Sequence, residues 1–218
     1  MFEDFDLAAR VMILIPLVLS LTVHEWAHAW SAHRLGDDTA RMQGRLTLNP
    51  IPHIDPVGTL ILPLLGIPFG WAKPVPVNPT RFRPGVNMKT GMMITAAAGP
   101  FSNIVLAVLS AVALGLISRF APTSLSMGSG LGLASLLTTL IVINVTLAIF
   151  NMIPIPPLDG SRVVDGLVPL RWRPQWESIV RVSPILCVVV LVVGGRFIAG
   201  PASAVVGWLT RLVFAIQS

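Results

Sequence analysis

The sequence predicts an all-α polytopic membrane protein. It should hold about four to six transmembrane or re-entrant helices, with a small β-strand element between the first span and the next full one. Three observations carry that reading. The 218 residues are 54% hydrophobic and only 11% charged, against roughly 25% charged in an ordinary soluble domain. The mean hydropathy is +0.78. The apolar residues lie in long runs, and the basic residues fall between those runs. The formal charge of +5 therefore records topology rather than nucleic-acid binding, because cytoplasmic loops of membrane proteins collect Lys and Arg.

The first span covers about residues 7 to 30. It follows an acidic "MFEDFD" and no cleavage site, so it reads as a retained span rather than a signal peptide. The run "GTLILPLLGIPFG" (58–70) is too short for a core of about 30 Å, and its prolines favour a re-entrant segment. In "WAKPVPVNPTRFRPG" (71–85) alternating Val and Pro exclude helix and suggest an edge strand or extended chain. Further spans run from about residue 88 to 117 and from 131 to 152, the latter ending in "IPIPP", where proline cannot continue a helix. The remainder holds either one span plus an amphipathic terminal helix, or two short spans broken at Gly194, Gly195 and Pro201. The lone Cys187 cannot form an intrachain disulfide and reads as a small buried apolar residue. No block is polar enough or long enough for an appended soluble domain. One integral-membrane domain over 1–218 is expected, with a catalytic core at about 7–168 and C-terminal membrane helices at about 178–217.

Loop charge orients this layout. Arg34, Arg41, Arg45, Lys73, Arg81 and Arg83 follow the first span, and Arg162, Arg171, Arg173 and Arg181 follow "IPIPP", whereas residues 119–130 hold one basic residue. By the positive-inside rule the first two regions are cytoplasmic and the N-terminus is outside. The ends of the first span and of the span closing at Met152 then share one membrane face.

At that depth the first span contains "HEWAH". His24 and His28 are four apart and share a helix face, with Glu25 beside them. A carboxylate within hydrocarbon costs on the order of 3 kcal/mol by insertion scales, and this chain holds only 4 His and 3 Glu in all. H-E-x-x-H explains the expense: two His bind zinc and the Glu serves as general base. One Zn2+ per chain is expected, lowering the pKa of bound water to about 7. His33 falls on the opposite face and reads as interfacial. A catalytic zinc needs a third protein ligand. Asp37 and Asp38 follow Gly36 in what reads as a solvated turn, and Asp165 and Glu177 suit ion pairing or solvation. Asp55 and His53 are further candidates. Asp159 stands apart, held after a proline break on a stiff "NMIPIPPLDG" arm at the depth of His28.

"HEWAH" and "FNMIPIPPLDG" together, with "LNPIPHIDPVGT" and "AAAGPFSN" between them, resemble the site-2 protease family of intramembrane zinc metalloproteases. Residues 151–160 fit that family's N-x-x-P-x-x-P-x-D-G pattern without gaps, and the similarity covers most of residues 20–165. The resemblance implies His24, His28 and Asp159 as zinc ligands and Glu25 as the base that activates water. Asn151 would polarise the scissile carbonyl or hold the substrate backbone; the competing role is capping backbone broken by Pro154. His53 lines the site or is structural. Asn103, after Gly99 and Pro100, lines the site or supports helix packing through a hydrogen bond. Val75 and Val77, in the extended segment, are placed to meet an unwound substrate by β-addition. Unlike larger relatives, the chain leaves no room for peptide- or nucleotide-binding domains.

The expected activity is zinc-dependent endoproteolysis of a peptide bond in or near a transmembrane segment (regulated intramembrane proteolysis), in a prokaryotic cell membrane with the site toward the cytoplasm. The expected partners are a transmembrane protein or peptide substrate, the lipid bilayer and a regulatory membrane protein, with no nucleic acid. The alternative is a non-proteolytic membrane adaptor or chaperone retaining the fold, against which the intact Glu25 argues. A metal transporter would instead distribute ligands over several spans.

Overall fold

A computed structural model describes residues 7–66, 70–125 and 132–218. Its elements in chain order are α1 (Leu7–Arg34), α2 (Thr39–Met42), α3 (Leu62–Leu64), α4 (Met88–Phe120), α5 (Leu133–Asn151), α6 (Asp159–Leu167) and α7 (Arg173–Gln217), joined by short 3-10 and π turns. Among the described residues, three helical segments are long and apolar enough to cross a membrane by length and composition: Met88–Phe120, Leu133–Asn151 and Phe197–Gln217. The span expected from residue 131 begins at Leu133; Leu131 lies outside the described residues, as does Pro68 of the expected re-entrant run.

Helix α4 is the centre of the molecule, packed against α1, α5, α6 and α7. Its small residues let the neighbours approach: Ala107 and Ala111 are fully buried against Ile141 and Val145 of α5 and Leu209 and Val213 of α7. Close van der Waals packing of this kind holds helices together where lipid removes the hydrophobic driving force. Helices α1 and α4 are antiparallel, since Ser20 meets Asn103 while His28 meets Thr95. Helix α5 returns alongside. At the end of the bundle remote from His28, the Arg119 guanidinium donates to the Ile216 carbonyl in the last turn of α7 (3.0 Å), satisfying a carbonyl that the helix end leaves free. Helices α1 and α5 thus run toward the His28 end, and α4 and the last part of α7 run away from it.

The C-terminal region differs from both expected layouts. Helix α7 continues for 45 residues through Gly195 and Pro201 without a break. Its length of about 67 Å is twice a hydrocarbon core. In an apolar environment an unbroken backbone ladder is favoured, and the one bond that a proline removes is tolerated. Ile185, Val188 and Val189 on its first half are exposed, a face suited to lipid.

After α1 the chain makes a hairpin. Its Asp55 side chain accepts from the N–H groups of Val57 and Gly58, and its far turn comes to Arg10, which donates to the Leu64 carbonyl. Arg10 lies fourteen residues before His24 on α1, about 21 Å at helical rise, so the hairpin runs back along the first helix. It returns at Gly70, beside the Gly58 carbonyl.

The expected β-strand at residues 71–85 is not formed: the described residues contain no strand. The segment is extended, but its N–H groups have no strand to pair with. Trp71 donates to the Gly58 carbonyl and Lys73 to that of His53. Val75 donates to Glu25 Oε2 (2.9 Å). The intervening Pro74 and Pro76 carry no N–H, which denies the opposite edge its ladder donors. The segment is anchored further on by Asp37, which is fully buried rather than solvated. Asp37 accepts from the Thr39 N–H and hydroxyl with one oxygen and from the Asn78 N–H with the other. Replacing Asp37 by Ala leaves half-buried donors unpaired, at up to about 1–3 kcal/mol for each one that water does not reach. The expected result is a lower unfolding temperature in detergent and faster proteolysis between residues 71 and 83.

Candidate metal centre

His24 and His28 are presented by consecutive turns of α1 toward α4, and α4 can receive them because residue 99 is glycine. A Cβ there would lie 2.5 Å from His28 Nε2 and 2.7 Å from His24 Cε1. Asp159 is the first residue of α6, where the helix dipole favours a carboxylate. Its neighbour Gly160 packs so tightly on the Met152 backbone that a Cβ would collide with the Met152 carbonyl. The short turn after α5, which includes the cis Pro156–Pro157 bond, thereby carries Asp159 to the two imidazoles.

Three atoms converge. His24 Nε2 and His28 Nε2 are 3.0 Å apart, and Asp159 Oδ2 stands 3.2 Å from the first and 3.3 Å from the second. His28 Nδ1–H donates to the Thr95 carbonyl (2.8 Å), an oxygen that can only accept. His24 Nδ1 lies 2.6 Å from Asn103 Oδ1, and Asn103 uses its Nδ2 elsewhere, so His24 also donates from Nδ1. With Nδ1–H committed in this way, each ring turns Nε2 toward the other ring and toward a carboxylate oxygen. Three such atoms this close repel unless a proton or a metal cation lies among them. Two tetrahedral ligands about 2.0–2.1 Å from zinc are about 3.3 Å apart. The triangle fits that ion and its donor chemistry.

Glu25 adjoins the cluster; it, His24 and His28 offer ligand atoms within 4.8 Å of one another. Its Oε2 is held by the Val75 N–H. The cluster opens on a cavity of about 380 Å³ lined by His24, Glu25, His28, Asn151, Asp159, Val75 and Val77, and also by Arg162 and Cys187. Cys187 is thus a half-buried wall residue rather than a piece of apolar core. Asn151 donates to the Leu147 carbonyl (3.1 Å), which leaves its second N–H for the cavity.

Two expected site-lining residues lie elsewhere. His53 is 2% exposed behind the extended segment, with Nε2–H donating to the Thr47 carbonyl (2.9 Å); burial lowers its pKa. Asn103 is fully buried and reaches the site only through His24. Asp38 pairs with His33 (2.6 Å), and Asp165 and Glu177 pair with Arg173. The sequence reading passed over Ser20, Asn144 and Gly99. The signal for Asn144 was present, as an amide inside an otherwise apolar span. Gly99 shows its role only once α1 lies against it.

Residues 115–193, which include Asn151 and Asp159, match Peptidase family M50. The chain is 41% identical over 168 residues to a Bacillus subtilis protein named "Putative zinc metalloprotease YwhC", covering 77% of this chain and 74% of that one. It is 34% identical over 156 residues to a Mycolicibacterium smegmatis protein named "Putative zinc metalloprotease Rip2", covering 71% of this chain and 56% of the relative. A Mycobacterium tuberculosis (strain H37Rv) protein of the same name is 29% identical over 212 residues, covering 94% of this chain and 72% of that one. No solved structure matches.

Gly99→Ala should push both imidazoles out of register and weaken metal retention at least about tenfold, the scale of disturbed ligand orientation. Gly195→Ala, with nothing within 4 Å of its added carbon, should change nothing; metal analysis after chelator challenge compares the two.

Proposed function

This chain belongs to peptidase family M50, the site-2 proteases, and is a membrane zinc metalloprotease; we propose that it is an intramembrane endopeptidase cutting a transmembrane segment of another membrane protein near its cytoplasmic end. One observation carries the reading: two imidazole nitrogens, their rings fixed by hydrogen bonds at Nδ1, converge with an Asp159 oxygen beside Glu25 at the wall of a cavity. His24, His28 and Asp159 would hold one zinc ion, leaving its remaining position to water or substrate. When bound, zinc supplies a Lewis acid that renders water acidic near pH 7 and polarises a carbonyl.

The chain's own residues do the rest. Glu25, steadied by the Val75 N–H through Oε2, accepts the proton of the attacking water at Oε1. It returns that proton to the departing amine. Asn151 offers its free N–H to the oxygen of the scissile carbonyl as charge gathers there, a contact worth about 3–4 kcal/mol in well-studied cases. Val75 and Val77 form the wall against which an unwound substrate lies. A substrate helix shields its peptide bonds, so local unwinding precedes the cut.

The cytoplasmic assignment rests on charge. Arg34, Arg41, Arg45, Lys73, Arg81 and Arg83 follow α1 at the His28 end, and Arg162, Arg171 and Arg173 follow α5 at the same end, the asymmetry of cytoplasmic loops. Regulated intramembrane proteolysis in a prokaryotic cell membrane fits this arrangement.

The test is purification in detergent with zinc analysis and cleavage of a transmembrane peptide. Glu25→Gln should retain zinc and lose about 10²–10⁴-fold in rate, whereas a non-proteolytic adaptor would show no cleavage even in wild type. Asp159→Ala should lose zinc and Asp165→Ala should keep it. A Val75→Gly, Val77→Gly double variant should cleave more slowly with its zinc content unchanged; undiminished cleavage would remove these residues from the substrate wall.

A further inference from the structure

Behind His24 lies a set of polar side chains that the proposed chemistry does not touch. Ser20, Asn103 and Asn144 come from α1, α4 and α5, and each is 0% exposed. Burying two amides and a hydroxyl among apolar helices is costly unless every donor and acceptor is paired, and here the pairing has one solution. The Ser20 hydroxyl donates to the Pro16 carbonyl (2.6 Å), so its oxygen accepts from Asn144 Nδ2 (2.8 Å). The other Asn144 N–H goes to the Leu140 carbonyl (2.8 Å), which fixes Asn144 Oδ1 as an acceptor. It accepts from Asn103 Nδ2 (2.7 Å), whose second N–H reaches the Ser20 carbonyl (3.3 Å). Asn103 Oδ1 is then obliged to face His24 Nδ1 (2.6 Å).

We infer that Asn144 is a positioning residue for the metal centre. Through Asn103 it dictates which nitrogen of His24 carries the proton, and so keeps Nε2 free as a ligand. Each amide gives an N–H to a main-chain carbonyl, which accepts and never donates, so turning either amide over sets its oxygen against that carbonyl, acceptor against acceptor. Without Asn144 the shorter of the two Asn103 contacts is gone and only the 3.3 Å bond to the Ser20 carbonyl opposes rotation, so the Asn103 amide turns more readily and presents N–H to His24 Nδ1. His24 then accepts at Nδ1 and carries its proton on Nε2, where it cannot ligate. Asn144 lies two helical turns before Asn151 on α5, so the helix that leads into the Asp159 turn also sets the His24 tautomer.

The inference rests on the reading of His24 as a zinc ligand. Zinc affinity of the purified full chain, measured by competition with a chelator, tests it separately. Wild type without zinc would overturn the metal reading itself. With zinc bound in wild type, Asn144→Leu should bind it about 10- to 100-fold more weakly, the usual effect of removing a partner that orients a ligand. Asn144→Asp keeps an acceptor toward Asn103 and should stay within a few-fold of wild type, although its buried carboxylate lowers the unfolding temperature more. A merely structural role gives the reverse order, with Asp the worse binder. The Asn103→Leu, Asn144→Leu double variant should bind zinc no more weakly than Asn103→Leu alone, because the second residue acts only through the first. Wild-type affinity in Asn144→Leu, multiplied losses in the double variant, or weaker binding in Asp than in Leu would each overturn the inference. Should Asn144→Leu not fold, Asn144→Ala takes its place in the same comparisons.

Discussion

The convergence of three polar atoms at one point governs this molecule. Two imidazole nitrogens and a carboxylate oxygen stand 3.0–3.3 Å apart in surroundings that screen charge poorly. Without a cation that grouping works against the fold, so the rest of the structure must hold it in place. The holding is done by packing and by hydrogen bonds. Gly99 brings α4 close to α1, the Thr95 carbonyl and Asn103 orient the rings, and Gly160 lets α6 close onto the end of α5. A low local dielectric makes each of these polar contacts stronger and each omission more expensive.

The helices serve this point in different ways. Helix α4 is the scaffold, because it meets every other long helix and its alanines allow that proximity. Helix α1 carries His24, Glu25 and His28 at adjacent turns, so their relative geometry comes from the helix itself. Helix α5 supplies Asn144 to the buried relay, Asn151 to the cavity, and the turn that delivers Asp159. The extended chain at residues 71–78 is tied to Glu25 at Val75 and to Asp37 at Asn78. Glu25 and the cavity wall are therefore mechanically joined.

Much of this was legible from residues alone, and the exceptions share a cause. Period and length gave the helices, because lipid demands internally satisfied backbone over a fixed thickness. The charges in "HEWAH" announced themselves by their cost, and the proline break before Asp159 set that residue apart. What escaped depends on contacts between distant segments. Asp37 reads as a solvated turn residue next to Gly36, and only the arrival of Asn78 shows it to be buried. Residues 71–77 have the alternation of a strand, but whether a strand forms depends on a partner, and here the hairpin carbonyls and Glu25 take the available N–H groups. Helix α7 carries Gly195 and Pro201, which read as breaks in water and are absorbed into a single helix in this fold. His53, in a family-like segment, packs behind the extended chain instead of facing the cavity.

The position of Asp159 has a temporal meaning as well as a spatial one. Synthesis proceeds from the N-terminus, so α1 and α4 can pair and orient both imidazoles before α5 and α6 exist. That half of the cluster lacks Asp159. Asp159 cannot dock until α5 has crossed back and Gly160 has settled on the Met152 backbone. The cluster is completed only when most of the bundle is in place, so a nascent chain does not bring its three converging atoms together beside its neighbours in the membrane.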